Sequence, residues 1–585
     1  MARAREADKY SMKSRVILVA ALLMTGYIGV TVRLVYLQVI NQNRLERKAV
    51  RQQHEVVELP PRRGSIYDRT GRELAVSIDA DSMYGVPASI EDPKGIAKRL
   101  APIVGMRERD IEDKLTGEKK FIWLARKVEP GIEDRVNAEL KSAGKPNRSI
   151  GWLSDSRRYY PKKELAGHIL GFTGMDNRGL EGIESTYESY IGGVAGKAVT
   201  ERDGAGREVL SVEEGHNPPQ PGNDLVLTID EKVQYVVEKE LDNIMSKYSA
   251  VSATAIVMDP NTGAIIALAN RPAFNPNSYK DYPTANWRDK AVTDIYEPGS
   301  TFKIVTAAAA FEERVVKPTD IIEIGNGEIS IGDRTIHDSH NDASRLSFAE
   351  VIQKSSNVGT IRVALKLGPE RLYSYAKAFG FGSKTGVDLP GETDGKLRDV
   401  RSWSAISIAS VAIGQEVGVT PVQMLSAMNT IANGGWFVRP YIVSQVRSGD
   451  GTVVRQARTE KVRRVVSPAT AAKLRDILCK VVEEGGTAVE ANVRGYQVAG
   501  KTGTAQKYDP AIHKYSKSKY CSSFVGFVPA EDPKISCIVV VNEPHGQYYG
   551  GLVAAPAFKS IVEKTLTYMR VPTRLPEQTI LVEKR

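Results

Sequence analysis

The amino-acid sequence predicts an α/β (α+β) fold: five strands in one sheet divided by a helical insertion, preceded by a mixed helix and strand region and one membrane-spanning helix. Three observations carry this expectation. Val16 to Val32 is an uncharged apolar run near the N-terminus. Strand-like segments at 253–269 and 496–541 bracket a long stretch whose apolar residues recur at helical spacing. Pro218-Pro219-Gln220-Pro221-Gly222-Asn223 reads as a linker that separates this region from a mixed helix and strand region before it. At 585 residues, 42% hydrophobic and 26% charged, the chain has the composition of a folded protein and the length of more than one domain.

Arg3, Arg5, Lys9, Lys13 and Arg15 precede the apolar run, Arg33 closes it, and the apolar stretch Leu34 to Ile40 extends it. Its length suits one bilayer crossing. No A-x-A-like site follows, so it reads as a retained anchor and not as a cleaved signal peptide. The basic flank predicts a cytoplasmic N-terminus, with everything after about residue 40 outside. The expected organisation is a cytoplasmic N-terminus at 1–15, a transmembrane anchor and juxtamembrane helix at 16–40, a mixed helix and strand domain at 41–222, a larger domain at 223–570 and a tail at 571–585.

The net charge of +10 comes from 80 basic and 70 acidic residues dispersed along the chain. Such a balance fits a solvated mixed surface, tolerates anionic lipid or an anionic envelope polymer as partner, and argues against nucleic acid. The seven histidines include one close cluster, His337 and His340, that lacks a third ligand, so no metal is expected. No P-loop or G-x-G-x-x-G opens a helix after a strand, and no cofactor is expected. Cys479, Cys521 and Cys537 have no zinc spacing; Cys521 and Cys537 approach one another if their segments pair, and buried free thiols fit equally well.

Before residue 222, turns such as Asp68-Arg69-Thr70-Gly71 and Gly192-Gly193 punctuate short helical and strand patterns. Leu225 to Ile229 opens the next unit, and Asp230 caps a helix with apolar positions Val233, Val236, Val237, Leu241 and Ile244. Ala253 to Met258, the turn Pro260-Asn261-Thr262-Gly263 and Ala264 to Ala269 form a hairpin pattern. Residues 300–485 are mostly helical in pattern, the last helix announced by Ser467-Pro468 and ended by Gly485-Gly486. Tyr496 to Gln506, Ser522 to Val528 and Ile535 to Val541 supply three more strands.

Three short motifs stand in order on this scaffold: Ser300-Thr301-Phe302-Lys303, Ser355-Ser356-Asn357 and Lys501-Thr502-Gly503-Thr504. Each has decoys, at Ser142/Lys145, Ser374/Lys377 and Ser516/Lys519, at Ser339/Asn341, and at Lys384. Context selects among them. Pro298-Gly299 break the chain before Ser300, and Ile304 to Phe311 form an alanine-rich apolar helix. Residues three apart share a helix face, so Lys303 stands beside the Ser300 hydroxyl, where a neutral amine can take its proton. The positive helix end and a second cation, Lys501, disfavour the ammonium form. Ser355 follows a capping box, Ser347 and Glu350, and lies at a turn between helices. The polar run from His337 to Asp342 lacks periodicity and reads as a solvated loop. Lys501 follows a strand pattern, with Gly503 admitting close approach of a ligand to an edge strand, whereas the Lys384 copy sits among turn residues.

The ordered set S-x-x-K, S-x-N and K-T-G-T resembles the penicilloyl-serine transferases. Arg63-Gly64-Ser65-Ile66-Tyr67-Asp68-Arg69, Arg157-Arg158-Tyr159-Tyr160-Pro161 and Gly179-Leu180-Glu181-Gly182-Ile183-Glu184 resemble the pedestal motifs of class B penicillin-binding proteins. Tyr548-Tyr549-Gly550-Gly551 and Ala555-Pro556-x-Phe558 look most like the division-specific members. The resemblance implies a penicillin-binding transpeptidase fold at 223–570, with a five-stranded mainly antiparallel sheet, helices and a helical subdomain, behind an elongated, non-catalytic α+β pedestal at 41–222, and it implies a peptidoglycan D,D-transpeptidase. In it Ser300 attacks the penultimate D-Ala of a stem peptide, terminal D-Ala leaves, and an amine of a second stem peptide forms the cross-link. Lys303 is then the base, Ser355 and Lys501 relay the proton, and Asn357 positions Lys303 and substrate. The backbone N–H groups of Ser300 and Thr504 form the oxyanion hole, and Lys501, Thr502 and Thr504 bind the substrate carboxylate beside Gly503. It further implies β-lactams as acylating mimics, a SEDS-family glycan polymerase and divisome membrane proteins as partners, and a bacterial inner membrane location at the septum.

Three other readings stay open on the sequence: an elongation-specific transpeptidase, a carboxypeptidase or β-lactamase-like hydrolase in which water releases the acyl group, and a non-enzymatic membrane scaffold or β-lactam receptor. The pedestal motifs also admit a purely structural reading, with Gly64, Gly71 and Pro161 fixing turns and Asp68 paired to Arg69.

Overall fold

The computed structural model describes residues 2–573 apart from 43, 45–53, 88–89, 118–120, 143–149, 203–207, 210–216, 333, 340–342 and 510–513. Lys145, Asn341 and the tail from residue 574 lie outside the described residues. The chain divides into two compact units, Met1–Pro61 with Val194–Gln220, and Arg62–Gly193 with Pro221–Arg585.

In the first unit, a helix at Ala2–Val35 continues through a π-helical turn at Tyr36–Ile40. Its segment Met12–Ile40, 29 residues, is long and apolar enough to cross a membrane, and none of it is buried against protein. At 1.5 Å per residue it exceeds the roughly 30 Å hydrocarbon core of a bilayer. This is consistent with a single-pass anchor. In the same unit His54–Leu59 pairs antiparallel with Gly196–Arg202, which pairs with Glu208–Val209.

The second unit opens with a seven-stranded sheet in the order Val453–Gln456, Val443–Arg447, Asp224–Leu227, Ile66–Tyr67, Glu73–Gly85 and Ile122–Val128, with Ile150–Tyr159 also on Glu73–Gly85. The end of the predicted linker, Pro221-Gly222-Asn223, is tied down within this unit. The Gly222 N–H donates to the Arg62 carbonyl and the Asn223 N–H to that of Tyr190, at 2.9 and 2.8 Å. Asp224–Leu227 then pairs parallel with Ile66–Tyr67 and antiparallel with Val443–Arg447. Prolines had marked this stretch as a connector, but its free carbonyls and N–H groups find partners far away in sequence.

The three pedestal motifs converge on one buried carboxylate. Arg63 Nε donates to Glu184 Oε2 at 2.5 Å and Arg158 Nε to Glu184 Oε1 at 2.6 Å, while the Tyr160 hydroxyl donates to Oε1 at 3.3 Å. Burial alone would raise the Glu184 pKa, yet the two guanidinium groups hold it below the usual value. Asp68 does not pair with Arg69 as expected. Its carboxylate accepts the N–H groups of Thr70, Arg72 and Glu231 and the Thr70 hydroxyl, bracing a turn in which Gly71 has φ +87°. Met83, Leu100, Leu124 and Val136 belong to a separate small core within this region.

The catalytic fold follows. Helix α1 (Glu231–Tyr248) is capped by Asp230, which accepts from the N–H groups of Lys232 and Val233. The hairpin β1 (Ser252–Met258) and β2 (Ile265–Arg271) forms as expected. Then come α2 (Lys303–Glu312), α3 (Phe348–Gln353), α4 (Asn357–Leu367), the almost wholly buried α5 (Pro421–Ala432) and α6 (Pro468–Lys480). The expected mostly helical stretch 300–485 also holds, among the described residues, eight short strands, from Ile321–Glu323 to Lys461–Arg464. Each is three to five residues long, too short for a period to register. α6 stops at Lys480, well before Gly485.

The chain then returns to the sheet through β3 (Ala499–Asp509), β4 (Lys514–Val528) and β5 (Ile535–Asn542), and ends on α7 (Ala555–Tyr568). The order is β2-β1-β5-β4-β3 with every pairing antiparallel. β3 begins at Ala499, not Tyr496, and β4 begins eight residues before Ser522, because the two strands pair onward to Asp509 and Lys514. Cys521 lies opposite Asn542 and Cys537 opposite Gly526, so the two thiols are out of register; all three cysteines are free and buried.

Candidate active site

Ser300 lies in a 3-10 turn, Gly299–Phe302, that runs directly into α2, so Lys303 is the first residue of the α-helix. The expected helix start at Ser300 is displaced by this tighter turn. Ser300 is half-buried, whereas Lys303 is fully buried. The Lys303 ammonium donates to the Ser355 carbonyl at 2.6 Å, to Asn357 Oδ1 at 2.8 Å and to Ser355 Oγ at 3.2 Å. Lys501, also fully buried, donates to the same Ser355 hydroxyl from the other side at 2.9 Å. Four of the five expected catalytic side chains, Lys303, Ser355, Asn357 and Lys501, therefore form one hydrogen-bonded cluster; Ser300, the fifth, lies three residues before Lys303 in the 3-10 turn, and its hydroxyl makes no hydrogen bond to the cluster among the described residues.

Local structure accounts for the middle motif. The predicted capping box is present, Ser347 Oγ accepting the Glu350 N–H while the Glu350 carboxylate accepts the Ser347 N–H. α3 then ends and Ser356 caps α4 by accepting the Gly359 N–H. Between them Ser355 adopts φ +62°, a left-handed conformation unusual for a side chain other than glycine. The strained turn directs both its carbonyl and its hydroxyl at Lys303.

The turn is held by a residue that the sequence pattern did not single out. Asp338 Oδ1 accepts the N–H groups of Asn357 and Val358 at 2.5 and 3.0 Å, and Oδ2 accepts the Ser356 hydroxyl at 2.7 Å. Asn357 Nδ2 donates to the His337 carbonyl at 2.8 Å. The polar run expected to be a solvated loop is thus, at His337 and Asp338, the support of the second motif. Its signature in sequence is that of any exposed loop, because the acid's partners are supplied by another element.

Charge follows burial. Desolvation pulls the Lys303 amine down to about 7, against the Asp338 carboxylate, which favours its ammonium form. Lys501 is held well below the usual lysine range, first by burial and then by the Lys303 charge. The expected repulsion acts at Lys501, where the Lys303 charge adds to burial; at Lys303 the lowering comes from desolvation and not from Lys501.

β3 is the edge strand expected for the third motif. Thr502 Oγ1 lies 2.9 Å from Thr487 Oγ1, and Thr504 Oγ1 accepts the Gly550 N–H at 3.0 Å. The close approach at Gly503 is made by the protein itself. A Cβ there would come 2.3 Å from Ser523 Oγ, 2.9 Å from the Pro298 carbonyl and 3.0 Å from Thr301 Cγ2. The absent side chain lets β3 lie against the turn that carries Ser300.

The decoys separate by context. Lys377 sits in a helix, Pro369–Ala378, and donates to the Gly382 carbonyl and Ser383 hydroxyl. Ser516 and Lys519 lie in strand β4. Lys384 is in a loop where Thr385 binds the Glu392 carboxylate through its N–H and hydroxyl. A further contact joins the β3–β4 hairpin to the Ser300 segment: Glu297 Oε1 accepts the Tyr515 hydroxyl at 3.1 Å and the Glu416 N–H at 3.0 Å.

Residues 253–563 match the Penicillin binding protein transpeptidase domain, and residues 58–227 the Penicillin-binding Protein dimerisation domain. The chain belongs to the class B penicillin-binding proteins. Among relatives of this class B penicillin-binding protein, stage V sporulation protein D of Bacillus subtilis is 34% identical over 96% of this chain and 87% of its own length. The probable peptidoglycan D,D-transpeptidase PenA of Neisseria meningitidis is 32% identical over 96% and 93%. The peptidoglycan D,D-transpeptidase FtsI of Escherichia coli is 32% identical over 92% and 89%. Among solved structures, a peptidoglycan synthetase from Bifidobacterium adolescentis superposes with a TM-score of 0.73 at 25% identity, covering 90% of this chain and 98% of that one. Penicillin binding protein 3 of Mycobacterium tuberculosis, complexed with aztreonam, superposes at 0.69 with 28% identity, covering 89% and 99%.

Proposed function

We propose that this class B penicillin-binding protein is a peptidoglycan D,D-transpeptidase that works through a Ser300 acyl-enzyme and is acylated at the same residue by β-lactams. The observation that carries the reading is the Ser355 hydroxyl held between two buried amines, 3.2 Å from Lys303 and 2.9 Å from Lys501. Ser300 Oγ attacks the carbonyl carbon of the penultimate D-Ala and its proton passes to neutral Lys303. Backbone N–H groups of Ser300 and Thr504 stabilise the tetrahedral oxyanion. The C–N bond breaks, and the leaving D-Ala amine takes a proton through Ser355, which Lys501 and Lys303 replenish. An amine of a second stem peptide then attacks the ester carbonyl, returns a proton through the same relay and frees Ser300. Asn357 holds Lys303, while Lys501, Thr502, Gly503 and Thr504 line the place of the substrate carboxylate.

The domain boundaries at 15, 40, 222 and 570 belong to this proposal, with 41–222 serving as pedestal to a catalytic domain at 223–570. So do an N-terminus in the cytoplasm and a catalytic domain outside the inner membrane. A septal role, with a SEDS-family polymerase and divisome proteins as partners, also belongs to this proposal, and the likeness to FtsI is consistent with the role; a fluorescent fusion confined to the lateral wall or to the forming spore would refute it. The chemistry is tested by intact-mass spectrometry after exposure to penicillin. Wild type is expected to gain one stable adduct and Ser300→Ala none; an adduct that persists in the variant sinks the assignment.

A further inference from the structure

We propose that Thr487 is a positioning residue for the substrate carboxylate: its hydroxyl donates to Thr502 Oγ1 and so leaves the Thr502 proton free to meet that carboxylate. The inference rests on the reading of Lys501, Thr502 and Thr504 as the carboxylate site. It adds a residue that belongs to none of the three motifs.

The placement is built from Gly485-Gly486. These glycines do not end α6, which stops at Lys480. They turn the chain back on the helix end instead. Gly485 has φ +80°, and a Cβ on Gly486 would lie 2.2 Å from the Val481 carbonyl oxygen and 2.5 Å from that of Lys480. The Gly486 N–H donates to the Glu483 carbonyl and the Ala488 N–H to that of Val481, both at 2.9 Å. Thr487, between them, is also held by the short helix Gly550–Val553, because a Cβ on Gly551 would come 2.2 Å from the Thr487 carbonyl oxygen. The start of that helix is tied to β3, the Gly550 N–H donating to Thr504 Oγ1 at 3.0 Å. Thr487 is therefore fixed against the strand that carries Thr502 and Thr504.

Counting donors gives the direction of the hydrogen bond. A hydroxyl has one proton and two lone pairs, and an ionised carboxylate only accepts. Thr502 Oγ1 has two partners among the described residues, Thr487 Oγ1 at 2.9 Å and Lys501 Nζ, which donates to it at 3.3 Å. A Thr502 proton given to Thr487 would leave a lone pair facing the carboxylate. With Thr487 and Lys501 both donating, the two lone pairs are filled and the proton is left for the ligand. Thr502 is buried and Thr487 half-buried, so water does not readily replace the Thr487 hydroxyl in this part.

The test follows Ser300 acylation of the full chain in amphipol by intact-mass spectrometry, with benzylpenicillin and with its methyl ester, which lacks the anionic group. With benzylpenicillin, Thr487→Val is expected to slow the second-order rate about five- to tenfold, the range of one hydrogen bond, and Thr487→Ser to stay within about twofold of wild type. With the ester, wild type and Thr487→Val should agree within about twofold, and in a Thr502→Val background Thr487→Val should add less than about twofold. Equal loss with acid and ester, failure of serine to restore the rate, or an undiminished effect without the Thr502 hydroxyl overturns the proposal. An unchanged benzylpenicillin rate in Thr487→Val also overturns it while the wild-type adduct leaves the Ser300 chemistry standing; a wild type without adduct overturns both.

Discussion

Lys303 has three acceptors for its three ammonium protons, in Ser355 O, Ser355 Oγ and Asn357 Oδ1. In that form it has no lone pair for Ser300, so reaction requires the neutral amine. With a pKa lowered to about 7 by burial, the neutral fraction grows as pH rises through that value. The acylation rate measured with a chromogenic β-lactam should therefore climb from pH 6 to 8 and level off above; a flat profile would remove Lys303 from the role of base. Asp338 opposes this shift and also ties down the Ser355 turn. Asp338→Asn should move the midpoint to lower pH and, by loosening Ser355 and Asn357, slow acylation at the plateau by about 10- to 100-fold. A slower rate with an unmoved midpoint would limit Asp338 to a structural part.

At the scale of elements, the site is the meeting of one turn, one inter-helix loop and one edge strand. The fit of β3 against the Ser300 turn rests on a missing side chain, since a Cβ on Gly503 would lie 2.9 Å from the Pro298 carbonyl and 3.0 Å from Thr301 Cγ2. Gly503→Ala should lower stability by about 1–3 kcal/mol through overpacking, read as a fall in the denaturation midpoint. Penicillin labelling should slow by about 100-fold as the strand moves off the nucleophile. Elements of this kind were legible where their signals are local. Asp230 before α1, the Ser347 and Glu350 box before α3 and the turn between β1 and β2 each act over a few residues. The short strands of 321–464 and the long β3–β4 pairing were not, because each takes its form from a partner strand.

Across the whole molecule, the pedestal motifs are built around Glu184, which is fully buried with Arg63 and Arg158 on its two oxygens. Glu184→Gln leaves buried Arg158 without its carboxylate and Arg63 with Glu188 alone, and should cost about 3–5 kcal/mol in denaturant unfolding. A loss below about 1 kcal/mol would show that the cluster relaxes into solvent. The chain's order of motifs, its caps, its apolar N-terminal run and its five-strand pattern were determined by the sequence alone, because they depend on residue type and spacing along a few turns. The tertiary structure alone decided that Asp338 meets Asn357 19 residues on, that Arg63 meets Glu184 across 121 residues, and that Lys501 reaches the Ser355 hydroxyl across 146. It also decided the charge of those lysines, since desolvation depends on what the fold packs around an amine and no spacing in the chain encodes it.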